Sequence, residues 1–258
     1  MARSSAALAF KSPVSISQQS YLSDKIIPIG DRLIVPLDVP TNEDAIQLVN
    51  KLGDAVQFYK VGLELIIGGE HVKLIDHLVQ RGKKVMLDGK LYDVPATVKA
   101  AMRNAAKHEV TFATVHAGSD ELLKAAIEVK NGIKVLAVTL LTSIDDSDLR
   151  DLGFQVDVKK LVLSRARRAL DLGCDGVISS GLEAPSLRSE LGTRFLIVSP
   201  GIRPVANTDD QKRTVDVEEA FYGGADYIVV GRPITGKPDP KKAAEDIQNR
   251  ISALFPKQ

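Results

Sequence analysis

Short apolar runs alternate with longer segments of helical periodicity from residue 31 onward, and this pair of patterns occurs eight times. The apolar runs hold four to six residues and are rich in Val, Ile and Leu, which is typical of buried parallel strands. The predicted strands are 32–37, 56–61, 84–87, 110–115, 134–138, 176–179, 194–198 and 227–230. The predicted helices include 43–52, 70–81, 95–107, 121–129, 158–172, 217–222 and 240–254. Regular alternation of this kind predicts an α/β protein with a parallel sheet.

Eight parallel strand–helix units fit either a closed barrel or an open, doubly wound sheet. A barrel brings the carboxyl ends of all its strands to one mouth, whereas an open sheet has only a crevice. Nearly every predicted strand is followed by polar residues or glycine, which favours the barrel. These residues are Asp38, Lys60, Gly62, Asp88, Lys90, His116, Thr139, Thr142, Ser143, Ser179, Ser180, Ser199, Gly201, Gly231 and Arg232. No linker interrupts the pattern, so we predict a single-domain (β/α)8 TIM barrel over residues 25–258.

Composition excludes several classes of function. The 258 residues include 34 basic and 33 acidic side chains, so there is no extended basic field and we predict no nucleic-acid partner. No apolar run approaches the roughly 18 residues of a membrane span, so we predict no membrane association. Cys174 is the only cysteine and is predicted to be a buried, inert thiol. Neither histidines at metal-binding spacing nor a nucleotide-binding glycine pattern is present, so we predict no metal and no cofactor.

The first 24 residues differ in character from the rest. Residues 1–23 contain seven serines together with Arg3 and Lys11, and the first acidic residue is Asp24. This composition fits a disordered tail or an organelle transit peptide, and it lacks the apolar core of a secretory signal. We therefore exclude residues 1–24 from the barrel. We expect a plastid or another organelle if the segment is a transit peptide, and the cytoplasm otherwise.

Three charged residues follow the predicted strand at 84–87. Asp93 precedes Val94-Pro95 and is predicted to be the N-cap of the next helix. Asp88 and Lys90 lie at the carboxyl end of the strand, where α/β barrels carry out chemistry. There Lys90 is a candidate general acid, and a fixed Asp88 carboxylate is suited to repel an anionic group of a substrate.

Lys60 is predicted to point into the barrel. It alternates with Phe58 and Gly62 along a strand, so the three share one face. A buried ammonium needs a carboxylate partner, and Asp38 and Asp88 end the flanking strands. The alternative for Lys60, and for Lys90, is a solvated side chain at the surface.

Two glycine-containing segments follow the last two strands, where barrel enzymes frequently bind phosphate. The first is Ser199-Pro200-Gly201-Ile202-Arg203-Pro204, with Gln211 eight residues after Arg203, and the second contains Gly231-Arg232. Glycine lets backbone N–H groups approach an anion, and arginine adds charge-assisted hydrogen bonds. The alternative is that these residues only turn the chain.

Histidine contributes little to the predicted site. His116 ends an apolar strand, and we interpret it as a hydrogen-bonded core or supporting histidine rather than a base. His71, His77 and His108 are predicted to be helical and exposed to solvent.

Seven segments together resemble the orotidine 5'-phosphate decarboxylase family, over roughly residues 31–253. They are Leu37-Asp38-Val39-Pro40, Tyr59-Lys60-Val61-Gly62, Leu87-Asp88-Gly89-Lys90-Leu91-Tyr92-Asp93, Thr114-Val115-His116-Ala117, Leu141-Thr142-Ser143, Pro200-Gly201-Ile202-Arg203-Pro204 and Gly231-Arg232-Pro233-Ile234. The charged element alone is moderately specific, but all seven in order are highly specific.

The resemblance implies decarboxylation of orotidine 5'-phosphate to UMP, the last step of de novo pyrimidine biosynthesis, without metal or cofactor. It implies that Lys90 protonates the carbanion at C6 of the pyrimidine and that Asp88 faces the departing carboxylate. Lys60 belongs to the same charge network. Asp93 is expected to reach the site of a neighbouring subunit, which implies a homodimer.

The resemblance also implies the substrate contacts. Asp38 is expected to bind the ribose, Thr142 and Ser143 lie in the segment that contacts the pyrimidine, and Lys60 and Asp88 are part of the binding site. The expected phosphate-binding residues are Arg203, Gln211, Gly231 and Arg232, and the wider substrate-binding set also includes Thr97 and Pro200.

Two positions depart from the family pattern, Gly89 and Ala96, and neither removes a proposed catalytic group. The segment between Arg203 and Gln211 is one residue shorter than in bacterial relatives, which affects the assignment of Gln211. The main alternative is a magnesium-dependent 3-hexulose-6-phosphate synthase or 3-keto-L-gulonate-6-phosphate decarboxylase. Those relatives typically carry glutamate where this chain has Lys60. A third alternative, a catalytically inactive barrel that serves as a scaffold, conflicts with the intact charged element.

Overall fold

The computed structural model describes residues 20–203 and 215–256, and within these ranges eight parallel strands close into a barrel in chain order. The strands are β1 (Leu33–Pro36), β2 (Phe58–Gly62), β3 (Lys84–Leu91), β4 (Phe112–His116), β5 (Lys134–Val138), β6 (Gly176–Ile178), β7 (Leu196–Ser199) and β8 (Tyr227–Val229). Residues Leu33 and Ile34 pair with Ile228 and Val229, which closes the ring between β1 and β8. The predicted (β/α)8 fold is confirmed.

The described ranges contain eleven α-helices and three 3-10 helices. The α-helices are α1 (Asn42–Leu52), α2 (Leu63–Gly68), α3 (His71–Gln80), α4 (Pro95–Ala105), α5 (Asp120–Glu128), α6 (Asp146–Asp151), α7 (Val158–Asp171), α8 (Ala184–Leu191), α9 (Val217–Tyr222), α10 (Arg232–Thr235) and α11 (Pro240–Leu254). The 3-10 helices are Ile29–Asp31, Gly53–Ala55 and Ala106–His108. Four helices, α2, α6, α8 and α10, were not predicted individually. They hold four to eight residues each, a length at which periodicity is a weak signal. Among these described helices, none combines the length and apolar character needed to cross a membrane.

Side chains inside the barrel alternate along each strand with side chains that face the helices. In β1, Ile34 lies in the interior cluster, whereas Leu33 and Val35 pack in the layer shared with the helices. The interior cluster consists of Ile27, Ile34, Phe58, Met86, Phe112, Leu136, Leu196, Val198, Tyr227 and Val229. Lys60 follows Phe58 by two residues, so the same alternation places it on the interior side, nearer the mouth.

The structure corrects two local predictions around β3. The strand continues to Leu91, so Asp88 and Lys90 lie within it rather than in the loop that follows. Asp93 is not the N-cap of α4, because Pro95 begins the helix and the preceding residue, Val94, takes that position. The Asp93 carboxylate instead accepts a hydrogen bond of 2.6 Å from the Val94 N–H.

An ionic cluster around Asp226 holds the amino-terminal end of the barrel. The side chain of Asp226 is fully buried and accepts a hydrogen bond of 2.8 Å from Arg188, which is also buried. The Ser23 hydroxyl donates to Asp226 at 2.6 Å, and the Tyr21 N–H donates to the Tyr222 carbonyl at 2.9 Å. Tyr21 and Ser23, which precede the predicted start of the barrel at residue 25, therefore contact the barrel. Residues 1–19 lie outside the described ranges, so the transit-peptide prediction stays a prediction.

Cys174 is buried as predicted, and burial raises the pKa of its thiol to about 12. His71 and His77 lie in α3 and His108 in a 3-10 helix, as predicted, but their side chains are only partly exposed. Helix α3 packs against the 3-10 helix that ends at His108, and His108 Nδ1 lies 2.7 Å from Asp76 Oδ1.

Candidate active site

Four charged side chains of alternating sign form a row at the mouth of the barrel, above the interior apolar cluster. Lys60 Nζ lies 2.9 Å from Asp38 Oδ1 and 3.4 Å from Asp88 Oδ2. Lys90 Nζ lies 2.7 Å from the same Asp88 oxygen. The side chain of Asp88 is only 8% exposed and that of Lys60 12%, whereas Asp38 at the end of the row is 57% exposed. The structure therefore brings together the four residues that the sequence placed on neighbouring strand ends.

The row is stabilised by its own charges. Burial alone would raise the pKa of Asp88, but Lys60, Lys90 and the hydrogen bonds from Lys90 and Thr114 outweigh it and hold the pKa below its usual value. Burial would likewise lower the pKa of Lys60, but Asp88 and Asp38 outweigh it and raise that pKa. Both groups are thus charged at neutral pH. The alternative of a surface-solvated Lys60 is excluded by this geometry.

A bulge in β3 shapes the row. Leu87 pairs with Ala113 and Leu91 with Val115, so four steps along β3 correspond to two along β4. The residues between them leave the regular ladder, and Lys90 adopts a φ of 45°, which is unusual for a residue with a side chain.

Thr114 of β4 bonds to both charged residues of the bulge. Its hydroxyl accepts a hydrogen bond of 2.9 Å from the Lys90 N–H and donates one of 2.9 Å to Asp88 Oδ1. The hydroxyl therefore connects the backbone of one member of the row to the carboxylate of another.

Because Gly62 has no side chain, the charged row has the space that it occupies. A Cβ atom at this position would lie 2.9 Å from Lys60 Nζ and 3.2 Å from Asp38 Oδ1. The first distance is shorter than real contacts of a Cβ atom, so any side chain here would displace the ammonium.

Within the described residues, no hydrogen bond or ion pair joins the side chain of Asp93 or Thr97 to the row. Both are exposed, Asp93 on the loop between β3 and α4 and Thr97 in the first turn of α4. Tyr92 and Val94, on either side of Asp93, are also exposed, at 69% and 62%. The side chains of this loop segment are thus exposed in the single chain.

The predicted phosphate-binding residues that the structure describes, Arg203, Gly231 and Arg232, lie at the same mouth, after β7 and β8. These strands are neighbours, with Ser199 opposite Ile228, so their following segments emerge side by side. Pro200 and Arg203 are half-buried, and the Arg203 N–H donates to the Val215 carbonyl at 3.0 Å.

Gly231 is the N-cap of α10, and exposed Arg232 is the first residue of that helix. A Cβ atom at Gly231 would lie 3.1 Å from Pro36 Cγ, so glycine allows the close approach of the loop to β1. Gln211 lies outside the described residues.

Thr142 and Ser143 follow β5 at the mouth, half-buried and exposed respectively. His116 ends β4, and its ring centroid lies 5.4 Å from that of Tyr92. Burial lowers the pKa of His116, and the neighbouring cations Lys90 and Arg165 lower it further. A neutral ring that packs at a tilt against Tyr92 agrees with the interpretation of His116 as a supporting residue.

No group of three or more His, Cys, Asp and Glu side chains within residues 20–203 and 215–256 is arranged to hold a metal ion. In the charged row itself, an ammonium group already lies between the two carboxylates of Asp38 and Asp88.

With this geometry established, comparison with known proteins identifies the family. The profile described as Orotidine 5'-phosphate decarboxylase / HUMPS family matches residues 31–247. The chain belongs to this family.

The similar proteins cover nearly the whole barrel. The protein named orotidine 5'-phosphate decarboxylase from Methylococcus capsulatus is 56% identical over 238 residues, which cover 92% of this chain and 98% of that protein. The protein of the same name from Xanthomonas euvesicatoria is 46% identical, with coverage of 88% and 94%. The crystal structure of orotidine 5'-phosphate decarboxylase from Lactobacillus acidophilus matches with a TM-score of 0.77 and 39% identity, over 86% of this chain and 99% of that chain. The resemblance read from seven segments is confirmed at the level of the family.

Two residues of this family member, Thr114 and Gly62, were noted in the sequence, but their roles in the charged row were missed. The signal for Thr114 was a hydroxyl inside the otherwise apolar run Phe112-Ala113-Thr114-Val115. The signal for Gly62 was a residue without a side chain two positions after an inward-facing lysine. Neither signal names the atoms that the residue contacts, because those atoms belong to other strands.

Proposed function

We propose that this member of the family converts orotidine 5'-phosphate to UMP and carbon dioxide, with Lys90 as the proton donor and without metal or cofactor. The chain is a carboxy-lyase by family and by its 56% identity to a named decarboxylase. The observation that carries the finer proposal is the row Asp38, Lys60, Asp88 and Lys90. A cofactor-free decarboxylation needs a fixed negative charge and a proton donor side by side, and the row supplies both.

The reaction breaks the bond between C6 of the pyrimidine and its carboxylate, and the electron pair of that bond remains on C6. Asp88 is held as an anion by its two lysines, so a substrate carboxylate placed beside it is repelled until it leaves as neutral carbon dioxide. This repulsion is present in the ground state and is relieved in the transition state. Lys90 Nζ, 2.7 Å from Asp88, then donates the proton that quenches C6 and recovers one from solvent.

Substrate binding is assigned to the rest of the mouth. Asp38, the most exposed member of the row, is placed to accept hydrogen bonds from ribose hydroxyls. Thr142 and Ser143 after β5 are assigned to the pyrimidine. The phosphate is assigned to the segments after β7 and β8, with Pro200, Arg203, Gln211, Gly231 and Arg232. Binding energy from the phosphate, remote from C6, is available to orient the reacting carboxylate against Asp88.

A homodimer is part of the proposal. Asp93 and Thr97 are exposed at the rim, where they are free to reach the mouth of a second barrel. Four large apolar side chains on α2 and on the loop that carries Asp93 are also exposed: Leu63, Ile67, Tyr92 and Val94. Exposed apolar side chains on two consecutive units of a barrel are typical of a surface that another chain covers.

The central test is an assay of purified protein with orotidine 5'-phosphate, in which the reaction is monitored by the loss of ultraviolet absorbance. We expect full activity in excess EDTA, and metal dependence would refute the mechanism. The magnesium-dependent alternative is tested in parallel with a sugar phosphate substrate and added magnesium, where we expect no turnover. Lys90→Ala is expected to abolish turnover while UMP still binds, as measured by calorimetry.

The dimer is tested by complementation. Asp93→Ala and Lys90→Ala are each expected to be nearly inactive, and mixing the two is expected to restore activity in hybrid dimers that hold one intact site. Verified heterodimers without recovered activity would show that Asp93 serves no neighbouring site. Localisation stays a prediction, and amino-terminal sequencing of the mature protein tests it.

A further inference from the structure

The bulge in β3 takes one backbone N–H out of the strand ladder, and the side chain of a residue in β4 accepts its hydrogen bond. Residues between Leu87 and Leu91 leave the ladder with β4, so the Lys90 N–H cannot take a regular partner there. Its hydrogen bond goes to the hydroxyl of Thr114 instead, at 2.9 Å. Thr114 has no exposed surface, so water does not compete for this bond.

The direction of the bonds fixes the Asp88 carboxylate as well. Because the Thr114 oxygen accepts from the Lys90 N–H, its single hydrogen is available to donate to Asp88 Oδ1, at 2.9 Å. The other carboxylate oxygen, Oδ2, faces both ammonium groups, Lys90 at 2.7 Å and Lys60 at 3.4 Å. One oxygen is thus held by a hydroxyl and the other by two ammonium groups. Together these contacts fix the rotation of the Asp88 carboxylate about its Cβ–Cγ bond.

We propose that Thr114 is a positioning residue for the decarboxylation, which sets the Asp88 carboxylate and the Lys90 backbone relative to each other. The proposal rests on the proposed function, in which Asp88 and Lys90 carry the chemistry. Three hydrogen bonds form a closed ring. The Lys90 N–H donates to the Thr114 hydroxyl, the hydroxyl donates to Asp88, and the Lys90 ammonium donates to Asp88. This ring holds Lys90 at a positive φ that a lysine would otherwise leave.

The test compares two substitutions of Thr114, one that removes only the hydroxyl group and one that removes only the methyl group. Thr114→Val has nearly the same shape and lacks the hydroxyl, and Thr114→Ser keeps the hydroxyl and lacks the methyl group. We expect Thr114→Val to lower kcat by about tenfold to a hundredfold, with KM within about threefold of wild type, because a small misplacement of reacting groups affects the transition state most. We expect Thr114→Ser to retain kcat within about threefold. A variant that merely loosens the fold would also lose substrate affinity and would not be rescued by serine.

A second readout does not depend on activity. Amide hydrogen exchange at Lys90 is expected to be slow in wild type and in Thr114→Ser, and at least about tenfold faster in Thr114→Val. If Thr114→Val does not fold, Thr114→Ala and Thr114→Ser provide the same comparison, since alanine removes the hydroxyl without adding bulk.

The outcomes separate this inference from the proposed function. Wild-type protein that does not act on orotidine 5'-phosphate refutes the function, whereas an active wild type with an equally active Thr114→Val refutes the role of Thr114 alone. Loss of kcat in Thr114→Ser equal to that in Thr114→Val also overturns it, because the hydroxyl would then be irrelevant. Unchanged exchange at Lys90 in Thr114→Val would show that the hydrogen bond does not hold the bulge.

Discussion

Substitution of Gly62 by alanine separates the requirements of the fold from those of the charged row. Gly62 is the N-cap of α2, with φ of −105° and ψ of −173°, a conformation that alanine adopts without strain. Its N-cap role favours glycine over alanine, and the reduced freedom of the unfolded chain favours alanine. These effects oppose each other, so we expect the free energy of unfolding to change by less than about 1 kcal/mol.

The expected effect on activity follows from the contact distances. The new Cβ atom would lie 2.9 Å from Lys60 Nζ, whereas ordinary contact begins at about 3.4 Å, so the ammonium must retreat by about 0.5 Å. The flexible lysine side chain permits this movement at little cost to folding, but the movement disturbs the contacts of Lys60 with Asp38 and Asp88. Since a 1 Å misplacement costs up to about a hundredfold in rate, we expect kcat/KM to fall by about tenfold, or about 1.4 kcal/mol.

The assay is steady-state decarboxylation together with thermal unfolding. Gly68→Ala is the matched control, because Gly68 ends the same helix and its added Cβ would make an ordinary contact of 3.7 Å with the Pro40 carbonyl. We expect the control to keep wild-type kcat/KM. A folded Gly62→Ala protein with wild-type kcat/KM would refute the reasoning that this glycine confines Lys60. A large fall in Tm would instead show that the clash destabilises the folded state and does not move the Lys60 side chain alone.

Three further predictions concern groups outside the row. Asp226→Asn is expected to lower the free energy of unfolding by about 3–5 kcal/mol in denaturant titrations, because it leaves the charge of the buried Arg188 without a carboxylate. Asp120→Asn is the control, because it removes a carboxylate from a more exposed pair, with Arg168, and it is expected to leave Tm nearly unchanged. Equal effects of the two substitutions would contradict this prediction. Cys174 is expected not to react with a thiol reagent at pH 8 in the native state and to react fully in denaturant, since burial raises its pKa to about 12; rapid native labelling would contradict its burial. The pKa of His116 is lower in the folded protein than in the unfolded chain, so as pH falls below about 6.5 the imidazole of the unfolded chain is protonated first. Protonation of the unfolded state lowers the free energy of unfolding in this pH range. His116→Asn is therefore expected to lose less stability than wild type between pH 6.5 and 5, and identical slopes of unfolding free energy against pH would refute the shift.

Much of the site follows from local rules along the chain. The period of two in a strand places Lys60 on the face of Phe58, and both lie inside the barrel. Polar residues at the strand ends predicted one mouth, and closure of β1 on β8 confirms it. These features were accessible because they depend on the repeat of the pattern and not on any particular partner.

The amino-acid sequence by itself determined the eight strand–helix units, the inward direction of Lys60 and the family. Tertiary structure alone decided how β3 is registered against β4, and therefore the bulge at Lys90, its bond to Thr114 and the space left by Gly62. It also decided the pairing of Arg188 with Asp226, which are 38 residues apart. The physical reason is that periodicity and propensity act between residues close in sequence. Register, hydrogen-bond partners and free space depend on which atoms of distant strands the closed barrel brings within about 3 Å of one another.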